Sequence, residues 1–136
     1  MNRKRILVVD DALTVRLYCR DVLERAGFEV EEAGNGVEGL ERALAGGFDL
    51  LLVDINMPRM DGYEMVRHLR EEPGMQAVPV VAISTEAAEA DVVRAYRAGA
   101  NVYMVKPVRA TRLAHTVQLL TGQLLTGGAL AGARAP

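Results

Sequence analysis

The sequence predicts an α/β fold, a doubly wound five-stranded parallel sheet of the (βα)5 kind. Three observations predict it. Strand-length apolar runs alternate five times with stretches of helical periodicity along 136 residues. Two of those runs, "DLLLVD" at 49–54 and "VPVVAIS" at 78–84, are apolar enough to be buried on both faces. Acids, a hydroxyl and a lysine collect where the runs end. Parallel neighbours require crossovers, and right-handed crossovers place helices on both faces of the sheet.

Each element follows in order. "RILVV" at 5–9 is short and rich in β-branched residues. In "ALTVRLYCRDVLERAG", Val15, Tyr18, Cys19, Val22, Leu23 and Ala26 recur at helical spacing, and Gly27 is the stop. "FEVEEA" at 28–33 alternates as a strand near a sheet edge does, and "GNG" at 34–36 is turn chemistry. "VEGLERALAGG" reads as a helix closed by two glycines, and "GYEMVRHLREE" as one ended by Pro73. "EAAEADVVRAYRAGA" is an alanine-rich helix and "VYMV" the fifth strand. "TRLAHTVQLLTGQLL" supplies the last helix, with Leu113, Val117, Leu120 and Leu124 on one stripe. The stripe continues past Gly122, so this helix is expected to reach about Leu125. Residues 1–121 then form one domain, and 122–136, ending in "TGGALAGARAP", extend the last helix into a flexible tail. No room is left for a second domain.

Composition narrows the function classes. Half the residues are apolar and a quarter charged, as in an ordinary soluble domain. A net charge of −2 gives no general attraction to nucleic acid or anionic membrane. There is no apolar run of transmembrane length, and the run inside "MNRKRILVVDD" is too short for a signal peptide core. A lone cysteine, Cys19, excludes an internal disulfide and reads as a core helix residue. A cytoplasmic monomer is expected.

The strand ends carry the chemistry. Ligands of open parallel sheets bind beyond the carboxyl ends of the strands. Strand one ends in Asp10 and Asp11, strand three in Asp54, strand four in Ser84 and Thr85, and strand five in Lys106 and Pro107. Three carboxylates at one rim repel each other and favour protonation. A divalent cation removes that repulsion, and an open all-oxygen site that shares its ion with phosphate suits Mg²⁺. Lys106 is then a fixed positive charge for a phosphate beside the metal, and Ser84 a hydroxyl donor. Asp54 becomes a credible nucleophile toward phosphorus, through an aspartyl phosphate.

Other chemistries lack their residues. The first βα turn, "VVDDALT", has acids where a dinucleotide site has its glycines, and neither a phosphate-binding P-loop nor a G-x-S-x-G elbow occurs. His68 and His115 fall in helices without a partner pattern.

With "VVDD" (8–11), "VDINMPRMDG" (53–62), "PVVAISTEA" (79–87), "AGA" (98–100) and "YMVKP" (103–107) in order, the sequence resembles the receiver domains of bacterial two-component response regulators, in the stand-alone chemotaxis type. The resemblance covers residues 5 to about 121. It implies a flavodoxin-like strand order 2-1-3-4-5. It implies Asp54 as phosphoacceptor, and Asp11, Asp54 and the Asn56 carbonyl as direct metal ligands. Asp10 would hold the metal through water, and Lys106 would bind phosphate. Ser84 matches the switch hydroxyl, and Tyr103 the aromatic that turns inward with it. Asn56 and Glu86 occupy the two positions that tune dephosphorylation, and Lys106–Pro107 matches a cis bond. Thr85 stands where a bare alanine is common, and Val108 replaces an expected phenylalanine. The implied partners are a sensor histidine kinase and a protein target such as the flagellar motor switch.

The plainer alternatives remain in view. Ser84 could cap a helix and Tyr103 could be core packing, while Met57, Met60 and Met65 read as loop and core filler. Arg94, Arg97, Arg109 and Arg112 form either a solvated basic face or a docking surface. Two other functions fit part of the pattern: a phosphate sink for a shared kinase, and a Mg²⁺-dependent phosphatase of small phosphoesters. The second needs a general acid two residues after the nucleophile, where this chain has Asn56.

Overall fold

The structure is a computed structural model that describes residues 3–123. Ten elements alternate: β1 (Arg5–Val9), α1 (Leu13–Arg25), β2 (Glu29–Ala33), α2 (Gly36–Ala45), β3 (Leu50–Asp54), α3 (Gly62–Glu71), β4 (Val80–Ser84), α4 (Glu89–Ala98), β5 (Val102–Val105) and α5 (Ala110–Thr121). The strands form one parallel sheet in the order β2-β1-β3-β4-β5. This is the predicted doubly wound fold.

Strand residues alternate between two cores, because successive side chains point to opposite faces. Leu7, Val9, Leu51, Val53, Val80 and Ala82 join the core that also takes Met65 and Leu69 of α3 and Ala95 of α4. Ile6, Val8, Leu50, Leu52, Val81 and Ile83 join the opposite core, with Cys19 and Leu23 of α1 and Leu113 and Val117 of α5. With both faces covered, β3 and β4 are buried along their full length. That burial explains their unbroken apolar sequences. Strand β2 lies at an edge, and its acids are paired: Glu31 with Arg5 and Arg42, Glu32 with Arg16 and Arg20. Charged side chains on an edge strand discourage further strand pairing.

Local chemistry sets the helix starts nearest the rim. Asn35 caps α2 by accepting from the Glu38 amide at 2.8 Å, and Asp61 caps α3 by accepting from the Glu64 amide at 2.9 Å. Gly62 opens α3 where an added Cβ would meet the Asp54 carbonyl oxygen at 2.5 Å and Ile55 Cα at 2.7 Å. The helix therefore starts against the end of β3 only because residue 62 has no side chain.

Two helix boundaries are corrected, and one residue of the α1 stripe lies largely outside the core. Tyr18 is 44% exposed although it shares a helical stripe with buried Cys19 and Val22. Its hydroxyl donates to the Val108 carbonyl at 2.8 Å, so the ring spans α1 and the β5–α5 loop. Helix α4 begins at Glu89, three residues later than its alanine-rich sequence suggests. Helix α5 stops at Thr121 instead of running through Gly122, which adopts the left-handed conformation (φ 69°) of a C-terminal cap. Leu124, Leu125 and the rest of the expected tail lie outside the described residues.

Candidate functional site

The sheet brings the predicted strand-end residues to one rim. Asp10 directly follows β1, Asp54 ends β3, Ser84 ends β4 and Lys106 directly follows β5. Asp10 and Asp54 are each 3% exposed, and Ser84 is fully buried. Asp11 is exposed. One carboxylate oxygen from each of Asp10, Asp11 and Asp54 lies within 4.8 Å of the others. Lys106 Nζ stands between two of them, 3.2 Å from Asp10 Oδ2 and 3.2 Å from Asp54 Oδ1. Asp10 Oδ1 accepts the Ala12 amide at 2.8 Å, and Asp54 Oδ1 accepts the Asn56 amide at 3.2 Å. Pro107 follows a cis bond.

The electrostatics follow from burial and crowding. Burial, and then the neighbouring Asp10 charge, push the Asp54 carboxyl up to about 6, against the opposing pull of Lys106. Burial works to lower the Lys106 ammonium, but Asp54 and Asp10 together hold it above its ordinary value. Two carboxylates and one ammonium leave a net negative centre, and Asp11 adds a third acid at its edge. Such a cluster of hard oxygens could hold a divalent cation.

A second polar group borders the acids. Asn56 Oδ1 accepts from Ser84 Oγ at 3.1 Å and from the Thr85 amide at 3.4 Å. Ser84 Oγ accepts the Glu86 amide at 3.0 Å. Tyr103 is buried, and its hydroxyl donates to the Glu86 carbonyl at 2.6 Å. Residue 86 thus takes one bond from the Ser84 loop and one from β5. Thr85 also lines a cavity of about 570 Å³ with Val15, Tyr18, Cys19, Lys106 and Val108. Burial pushes the Cys19 thiol up to about 12, which leaves it no nucleophilic role.

The remaining predicted residues lie away from the rim. Met65 and Met57 are buried, as filler should be. Arg94 is not simply solvated: its guanidinium stacks on the Tyr63 ring at 4.1 Å. Arg97, Arg109 and Arg112 are exposed. Sequence reasoning missed two residues near the site, Tyr18 and Arg16. Arg16 Nη1 donates to the Asp10 carbonyl at 2.6 Å, and a backbone acceptor leaves no pattern in a sequence.

This fold and rim define a class. The chain belongs to the response regulator receiver domain family, which it matches over residues 6–118. Among curated relatives, it is 37% identical over 120 residues to chemotaxis protein CheY1 of Helicobacter pylori, covering 87% of this chain and 97% of that one. It is 39% identical over 106 residues to the transcriptional regulatory protein ResD of Bacillus subtilis. That match covers 78% of this chain but only 43% of ResD, so the chain spans less than half that relative's length. Among solved structures, chemotaxis protein CheY4 of Vibrio cholerae superposes with a TM-score of 0.83 at 32% identity, over 88% of this chain and 99% of that one. A CheY-like receiver domain from Methanospirillum hungatei gives 0.83 at 30% identity, over 90% of this chain and 96% of that one. Among the described residues, no helix is long and apolar enough to cross a membrane.

Proposed function

We propose that the chain is a chemotaxis-type phosphorylation switch in the cytoplasm, in which Asp54 accepts a phosphoryl group from a phosphohistidine of a sensor kinase. The observation that carries this reading is the position of Lys106 Nζ, 3.2 Å from carboxylate oxygens of both Asp10 and Asp54. An Asp54 oxygen attacks phosphorus, the P–N bond of the donor breaks, and the departing imidazole nitrogen keeps the bonding pair and takes a proton from solvent. Asp10, Asp11, Asp54 and the Asn56 carbonyl would hold Mg²⁺, which supplies positive charge to the phosphoryl oxygens. Lys106 offers its ammonium to another of those oxygens.

Phosphorylation then acts on the Ser84 loop. Ser84 Oγ reaches the new phosphate by leaving Asn56, and its bond to the Glu86 amide couples that movement to Tyr103. Asn56 and Glu86, bordering the phosphate, set its lifetime. Two states of this loop, biased by the phosphate, present two surfaces on α4, β5 and α5 to a target such as the flagellar motor switch. The chemotaxis names of the Helicobacter pylori and Vibrio cholerae relatives support this choice of target.

The test is intact mass after incubation with a small phosphodonor and Mg²⁺. The expected result is one phosphate adduct on the native chain and none on Asp54→Asn. Steady release of phosphate that survives Asp54→Asn would instead indicate a phosphatase.

A further inference from the structure

We propose that Arg16 is a positioning residue that aims Asp11 at the cation, an inference that rests on the assignment of Asp10, Asp11 and Asp54 as its ligands. Asp10 is held at every polar group. Its amide donates to the Ala33 carbonyl at 3.1 Å, and its carboxylate takes Ala12 N–H at 2.8 Å and Lys106 Nζ at 3.2 Å. Its carbonyl accepts Arg16 Nη1 at 2.6 Å. This last bond acts directly on the peptide that joins Asp10 to Asp11, because the carbonyl of one residue and the amide of the next are rigid together. That plane sets where the Asp11 Cβ leaves the turn, and Asp11 itself is exposed.

Arg16 is in turn fixed from behind. Its Nε donates to Glu32 Oε1 at 3.0 Å, and each of the two side chains is 18% exposed. Glu32 also pairs with Arg20, which donates to the Val30 carbonyl at 2.5 Å. A line of charge-assisted hydrogen bonds therefore runs from edge strand β2 through Glu32 and Arg16 to the acidic turn. Removing groups that orient a metal's ligands from the second layer typically costs roughly 10–100-fold in metal affinity. Arg20 ties the same α1 surface to the same Glu32 without reaching Asp10, so it reports the purely structural share of this network.

The sign of the effect separates orientation from charge. Removing a cation from the neighbourhood of a metal site strengthens metal binding by Coulomb's law. Losing the orientation of Asp11 weakens it. The experiment titrates MgCl₂ into the full chain, follows amide NMR shifts of residues 10–12, and compares Arg16→Met with Arg20→Met. The native chain is expected to saturate, Arg16→Met to bind Mg²⁺ roughly tenfold more weakly, and Arg20→Met to keep the native affinity. Native or tighter affinity in Arg16→Met overturns the proposal, as does equal weakening in both variants. If Arg16→Met does not fold, Arg16→Lys replaces it, since one ammonium on a shorter stem stands in for a fork that reaches Glu32 through Nε and the Asp10 carbonyl through Nη1. Native affinity in Arg16→Lys then overturns the proposal, and severalfold weakening supports it. A native chain with no saturable Mg²⁺ binding overturns the ligand assignment itself, a result distinct from the others.

Discussion

Asp54 is buried beside Asp10 and stands 3.2 Å from Lys106, and these neighbours pull its carboxyl in opposite directions. Burial and Asp10 win, which leaves it at about 6 against an ordinary 3.8. Between about pH 4 and pH 6 the folded chain therefore holds a proton that the unfolded chain has lost, so this group's contribution to stability falls as pH rises through that window. Above it, the ionised group costs the metal-free fold on the order of 2 kcal/mol. Asp54→Asn in a chelator is thus expected to raise stability at pH 7.5 by roughly 1–2 kcal/mol, with the gain shrinking toward pH 4. Urea unfolding at both pH values checks this; a less stable variant at pH 7.5 would contradict it. The acids and the lysine were legible in the sequence because a parallel sheet gathers its strand ends whatever the loops do. Arg16 was not, since what it binds is a carbonyl.

The elements owe their placement to a few local contacts, and Gly62 shows how narrow the tolerance is. Alanine within a helix ordinarily stabilises by roughly 0.5–1 kcal/mol over glycine. Here the added Cβ would meet the Asp54 carbonyl oxygen at 2.5 Å and Ile55 Cα at 2.7 Å, both backbone atoms that cannot swing aside. Gly62→Ala is expected to destabilise by about 1–3 kcal/mol, the cost of overpacking, and to slow phosphorylation by shifting Asp54. Urea unfolding and the rate of adduct formation measure the two effects; a gain in stability would refute the close contact. Strand cores and helix order were legible because period and length differ so clearly between the two element types. The end of α5 was not, because the leucine stripe continues past Gly122 while that residue's left-handed backbone stops the helix. The exposure of Tyr18 was not legible either, because it sits on the apolar stripe of α1 while its hydrogen-bond partner lies ninety residues away.

Across the whole molecule, two cores hold five strands so that their carboxyl ends form one rim, and the residues that change chemistry lie on that rim. Alternation of strands and helices fixes the class of fold but leaves the strand order open; the order came from the resemblance to receiver domains and is the one observed. The two bonds at Glu86 were not legible, since both use its backbone groups, which meet Ser84 and Tyr103 only once the chain has folded. In the proposed switch, this small group of contacts links the rim to the distant face of α4, β5 and α5, and the proposal stands or falls on Asp54 carrying the phosphate. The direct measurement is to treat the phosphorylated chain with borohydride, which reduces an acyl phosphate to an alcohol, and to locate the altered residue by peptide mass spectrometry. Homoserine is expected at position 54 and nowhere else. Reduction at another carboxylate, or phosphate recovered on a histidine or a hydroxyl instead, would contradict it.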